Sequence, residues 1–186
     1  MMHNLTAFLA LLFQVASALA VPGPENQAHC TDHPIFTLHN ITYSDETIYS
    51  TSAHLAVAGA SIQFNLTNTA VSYTTECSAS VGDWAWPTFF WGDIVYNCKV
   101  PAGDDAVQVS TNFTYSTSGN IQLNSTWSCG EWGKTKSFVG MASGVVKLDC
   151  NTTSWQNTNW TLGELWSTSD TTCKPYTLDL TPNVSH

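Results

Sequence analysis

The side chains with the most chemical potential in this chain are its six cysteines and eight tryptophans. The cysteines stand at 30, 77, 98, 129, 150 and 173. Cys77 and Cys98 are 21 residues apart, and so are Cys129 and Cys150. Gly92 precedes Cys98 by six residues and Gly144 precedes Cys150 by six. Thiols serve as metal ligands, nucleophiles or disulfide halves. A zinc site calls for close pairs such as C-x2-C, which the spacing lacks. An even cysteine count in an exported chain points to disulfides instead. The repeat singles out Cys77–Cys98 and Cys129–Cys150, with Cys30–Cys173 tying the ends. A rival pairing leaves Cys30 free for a bridge between chains.

Trp84, Trp86 and Trp91 cluster in the stretch from Gly82 to Gly92. Exposed aromatic rings stack on sugars or anchor protein partners. The same rings could close one end of a β core. Trp86 aligns with Phe138 in the second cysteine unit, which favours packing there. Trp84 aligns with Lys136 and is the better candidate for exposure. These three tryptophans are the expected ligand or partner contacts.

The other reactive side chains do not assemble into a catalytic set. His29 and His33 are four apart, but no helical pattern aligns them. Asp104 and Asp105 sit in a Pro/Gly turn, where acids are usually solvated. Glu76, Asp93, Glu131 and Asp149 lie beside cysteines or in strands, with nothing marking a carboxylate dyad. No Gly-x-Ser-x-Gly elbow, phosphate loop or nucleophile–base pair is present. The expectation is no catalytic residue, no metal and no cofactor.

Composition sets the compartment. Leu5 to Val15 is mostly apolar and Ala18-Leu19-Ala20 has the small-x-small cleavage pattern. Residues 1–20 therefore read as a signal peptide, 21–34 as a flexible leader, and 35–186 as one β domain. The chain has 14 acidic residues, five lysines and no arginine, for a net charge of −9. That balance disfavours nucleic acid and anionic membranes as partners. The sequons at Asn40, Asn65, Asn112, Asn124, Asn151, Asn159 and Asn183 predict an exported glycoprotein.

The elements that must hold these residues are strands. Ile62, Phe64 and Leu66 alternate with Gln63 and Asn65; Val71, Tyr73, Thr75 and Cys77 alternate likewise. Phe113 and Tyr115 oppose Asn112, and Ile121, Leu123 and Trp127 oppose Asn124. Parity places Asn65, Asn112 and Asn124 on polar faces and the four repeated cysteines on apolar ones. Turn signals fall at Ala58-Gly59, Asn68-Thr69, Ala102-Gly103-Asp104 and Ser118-Gly119-Asn120. Apolar parity between Ile35 and Tyr43 switches near His39, which predicts a bulge or two-sided burial. Tyr176 to Leu180 alternates as a last strand. The predicted fold is an all-β sandwich or barrel of about eight to eleven short antiparallel strands, disulfide-stapled, with an internal pseudo-repeat.

The stretch from Phe36 to Pro182 resembles the fungal small secreted proteins of the Alternaria major-allergen-like family. The resembling segments are Phe64-Asn65-Leu66-Thr67-Asn68, Cys77-Ser78-Ala79, Gly92 through Tyr96-x-Cys98, Ser125-Thr126-Trp127-Ser128-Cys129, and Leu148-x-Cys150-Asn151 followed by Trp155 through Gly163. The resemblance implies a compact secreted β fold with two internal disulfides and no established catalytic residues. It implies an effector-like or allergen-like role outside the cell. The named allergen dimerises through an N-terminal cysteine, matched here by Cys30; Cys173 offers that residue an internal partner. The expected function is a secreted, non-enzymatic binding protein, monomer or homodimer, with an extracellular protein or polysaccharide as partner. The alternative is a carbohydrate-binding module using exposed tryptophans.

Overall fold

The computed structural model describes residues 33–82, 88–99, 110–129 and 136–185. They form eleven strands and no helix. In chain order these are β1 (Phe36–Tyr49), β2 (Leu55–Asn68), β3 (Thr74–Val81), β4 (Tyr96–Asn97), β5 (Ser110–Tyr115), β6 (Asn120–Cys129), β7 (Lys136–Val145), β8 (Cys150–Gln156), β9 (Ser167–Cys173), β10 (Tyr176–Leu180) and β11 (Asn183–Ser185). One sheet runs β3-β2-β1-β9-β8, with β10 also on β1; the other runs β11-β7-β6-β5-β4. All pairings are antiparallel. The sheets do not close into a barrel, so the fold is a sandwich.

The alternating sequences dictate this layering. Phe36, Leu38, Ile62, Phe64 and Leu66 turn inward from the first sheet, and Phe113, Tyr115, Ile121, Leu123 and Trp127 from the second. Phe64 meets Phe113 edge to face across the interior, ring centroids 5.0 Å apart. Trp127 stacks on Phe138 at 5.6 Å and meets the edge of Phe36 at 5.9 Å. Gly140 permits that packing: a Cβ there would lie 2.8 Å from the Trp127 ring and 2.9 Å from Phe36.

The predicted bulge in β1 organises the first sheet. Its register shifts between His39 and Thr42 against β2, and Asn40 sits there at φ 54°. Asparagine tolerates this left-handed conformation better than most residues. Before the bulge β1 pairs with β10; from Ser44 it pairs with β9. The bulge itself moves the inward positions from even numbers to odd ones: Ile41 is already inward while still paired with β10, and the change of neighbour comes after it. Beyond it, β9 and β8 carry the first sheet outward, and every residue of β8 is exposed. Thr181 and Pro182 then cross between layers, since Leu180 closes β10 on Phe36 while Asn183 opens β11 on Met141.

Four sequence expectations are corrected. Tyr176–Leu180 is not the last strand, because β11 follows it, and Cys150 stands exposed at the start of β8 rather than on an apolar face. Ala58-Gly59 is no turn but lies within β2, where small residues let adjoining chain approach; a Cβ on Gly59 would stand 3.3 Å from the Val81 carbonyl oxygen. The second cysteine unit does not staple itself. Cys77–Cys98 forms as expected, but Cys150 bonds Cys173, which removes both Cys129–Cys150 and Cys30–Cys173. The reason is register: β8 and β9 are antiparallel neighbours that place Cys150 directly opposite Cys173. Cys129 is also disulfide-bonded, and Cys30 lies outside the described residues. The two glycines differ as well. Gly92 takes φ 90°, whereas Gly144 sits in β7, where a Cβ would stand 2.5 Å from the Leu180 side chain.

Candidate functional site

The layers part at the end of β1 beyond the bulge, leaving a cleft of about 680 Å³. Tyr43, Asp45 and Thr47 line it from β1, Phe89 and Tyr115 from the facing side, and Val146, Lys147 and Leu148 from the chain after β7. The polar floor follows from the strand's own pattern. Once the parity has switched, odd-numbered positions of β1 point inward, and they are Tyr43, Asp45 and Thr47. Tyr43, Phe90 and Tyr115 form an aromatic cluster with centroids 5.4 to 6.3 Å apart.

Cross-strand register extends this surface. Asp45 lies opposite Thr171, itself opposite Thr152; Thr47 lies opposite Ser169, itself opposite Ser154. Directly opposite residues project from the same face, so rows of hydroxyls run out from the cleft. The Thr152 and Thr171 hydroxyls are 3.0 Å apart. This arrangement offers aromatic edges, hydroxyls, one carboxylate and one ammonium to a ligand.

Burial raises the Tyr43 phenol well above its ordinary range, and the charge of Asp45 and its hydrogen bond add to the effect. Burial likewise raises Tyr115. A phenol whose folded pKa is raised stabilises the fold fully below its unfolded value near 10. That contribution is lost as pH rises through the folded value, because the unfolded chain releases its protons first. The urea midpoint should therefore fall between about pH 8 and about pH 11, and by less in Tyr43→Phe. An equal fall in both proteins would contradict this.

The outer face of the second sheet is a different surface. Outward positions run through Asn97, Asn112, Thr114, Gln122, Asn124, Met141, Ser143, Val145, Asn183 and Ser185, and none is charged. Trp91 bridges to Ser116 at this sheet's edge and is 59% exposed. Of the expected contact tryptophans, Trp91 is thus displayed on the surface, while Trp84 and Trp86 lie outside the described residues. A third surface is the turn between β8 and β9. There Trp160 donates its indole N–H to the Glu164 carbonyl at 2.8 Å, and Leu162 is 89% exposed.

The remaining candidates are dispersed. Glu76 pairs with Lys99 and Asp149 with Lys174, both pairs on the surface. The lysine's hydrogen bond and charge hold Glu76 below its usual range; Asp149 raises Lys174 in the same way. Asp93 is exposed, His33 is exposed, and His29, Asp104, Asp105 and Glu131 lie outside the described residues. Asn40, Asn151, Asn159 and Asn183 are exposed; Asn65, Asn112 and Asn124 are half-buried at outward positions. Sequence reasoning passed over Asp45. Its signal was available: an acid at inward parity just past a bulge, between a tyrosine and a threonine.

This architecture defines a class, the disulfide-stapled two-sheet β proteins. Within it the chain belongs to the Alternaria alternata allergen 1 family, whose model matches residues 36–173, from β1 through β9. Comparison with curated proteins and with solved structures found no match.

Proposed function

We propose that this allergen-like chain is a secreted glycoprotein that binds a ligand outside the cell without converting it, in the manner of an effector acting on a host or competitor. The observation that carries this reading is the cleft beside Asp45. It combines ring edges and hydroxyls with a single carboxylate, a set suited to holding a polar ligand. None of the sequon asparagines lines it. Disulfides, sequons and an acidic balance fit an exported protein whose partner is an extracellular protein or polysaccharide, and neither nucleic acid nor membrane. A second reading, a carbohydrate-binding module, draws on the exposed ring of Trp91.

The test uses the secreted chain immobilised and washed with soluble apoplastic fluid and with wall polysaccharides. A ligand should be retained and released with its covalent mass unchanged. Retention of nothing from any extract, or release of a cleaved product, contradicts the proposal. Retention on polysaccharide that disappears in Trp91→Ala favours the second reading.

A further inference from the structure

Resting on the glycoprotein reading above, we propose that the outer face of the second sheet is covered by the chain's own N-linked glycans, one on Asn183 and one on either Asn112 or Asn124, never both. The inference starts from register. Asn112 lies directly opposite Asn124, Asn124 opposite Met141, and Met141 opposite Asn183. Three acceptor asparagines, scattered across 72 residues of sequence, therefore fall in one cross-strand row. Their sequon hydroxyls, Thr114, Thr126 and Ser185, share the outward parity of the row.

The face they occupy needs covering. Trp91 and Val95 are each 59% exposed, Met141 is 59% exposed and Val145 48%, with no charge among the outward strand positions to hold water there. These four are among the nine large apolar side chains exposed on the described surface, and a run of them along one row is the kind of patch that a bound group covers. A groove of about 550 Å³ runs along the row, lined by Asn112, Asn124 and Asn183 with Val95 and Met141. The Oδ1 of Asn124 is buried in this region without a hydrogen-bond partner.

Exclusion follows from spacing. Directly opposite residues have Cβ atoms about 5 Å apart, which crowds two branched sugars leaving the same side. The covalent step is ordinary sequon chemistry with a polyprenyl-pyrophosphate-linked oligosaccharide. The asparagine Nδ2 attacks the anomeric carbon, a C–N bond forms, the C–O bond to pyrophosphate breaks, the lipid pyrophosphate leaves, and one amide proton passes to the transferase's base. A chain carrying both glycans would have to force the Asn112–Asn124 pair of the β5–β6 ladder apart in order to fold, so the folded, secreted hairpin carries one.

The test takes the full chain secreted from a fungal host. Glycopeptide mass spectrometry across the β5–β6 hairpin should find one glycan per molecule at Asn112 or Asn124, and a glycan at Asn183. Thr114→Ala should shift the hairpin's glycan wholly to Asn124, and Thr126→Ala wholly to Asn112. Met141, the one methionine besides Met1 and Met2, reports coverage: native deglycosylation should raise its peroxide oxidation rate several-fold. Both hairpin sites filled in one molecule, neither filled, a bare Asn183, or an unchanged Met141 rate overturns the proposal.

Discussion

Trp127→Ala should lower the unfolding free energy by about 3–5 kcal/mol. Trp127 is 1% exposed and carries the contact between the layers at the β7 end. Its ring stacks on Phe138 from the neighbouring strand and meets Phe36 from the opposite sheet. Alanine would leave a cavity between three elements that the long β6–β7 ladder holds in place. Partial collapse is the only relief, and well-tied walls collapse poorly. A loss of this size is a large share of the stability of an ordinary domain, about 5–15 kcal/mol. Equilibrium urea unfolding checks it, with the midpoint moving and the slope preserved. A change below about 1 kcal/mol would mean the tryptophan is not packed as described.

The second large effect belongs to Cys77–Cys98. Replacing both cysteines with alanine should cost roughly 3 kcal/mol on the chain-entropy account of a loop this long. The loop spans 21 residues, joining the edge strand β3 of the first sheet to the end of β4 in the second. Cys77 is 2% exposed and belongs to the core, so apolar packing is lost with the bond. The bond also fastens the short β4, whose ladder to β5 has two residue pairs. Unfolding measured with and without the pair, both under non-reducing conditions, gives the value directly. Equal midpoints would show that the layers hold without the staple.

Both of these sites were legible in the sequence, and others were not. Alternation alone placed Trp127 inward and Asn124 outward, because a strand's period of two leaves no other choice once one face is apolar. The bulge at Asn40 was legible from the parity switch, although not the change from β10 to β9 that comes with it. Cys77–Cys98 was legible from spacing. Cys150–Cys173 was not, because a matching interval says nothing about which strands become neighbours. The hydroxyl rows beside the cleft were hidden for the same reason. No apolar alternation marks Thr152, Ser154, Ser169 and Thr171 in the sequence, and only the pairing of β8 with β9 aligns them with Asp45 and Thr47.

The same limit governed the candidate site. Tryptophans draw the eye in a sequence, and Trp91 is indeed exposed. Yet it stands on a face crowded with acceptor asparagines. Asp45 is one acid among fourteen in the chain, and only the parting of the layers distinguishes it. Topology turned an ordinary strand residue into the charged floor of a cleft.

The measurement that tests the cleft most directly is calorimetric titration of the ligand retained from extracellular extracts into three proteins: the wild type, Asp45→Asn and Trp91→Ala. If the cleft binds, Asp45→Asn weakens affinity by about tenfold or more, the scale of a lost hydrogen bond to a charge, and Trp91→Ala leaves it unchanged. Full affinity in Asp45→Asn with loss in Trp91→Ala would contradict the account and place binding on the outer face of the second sheet.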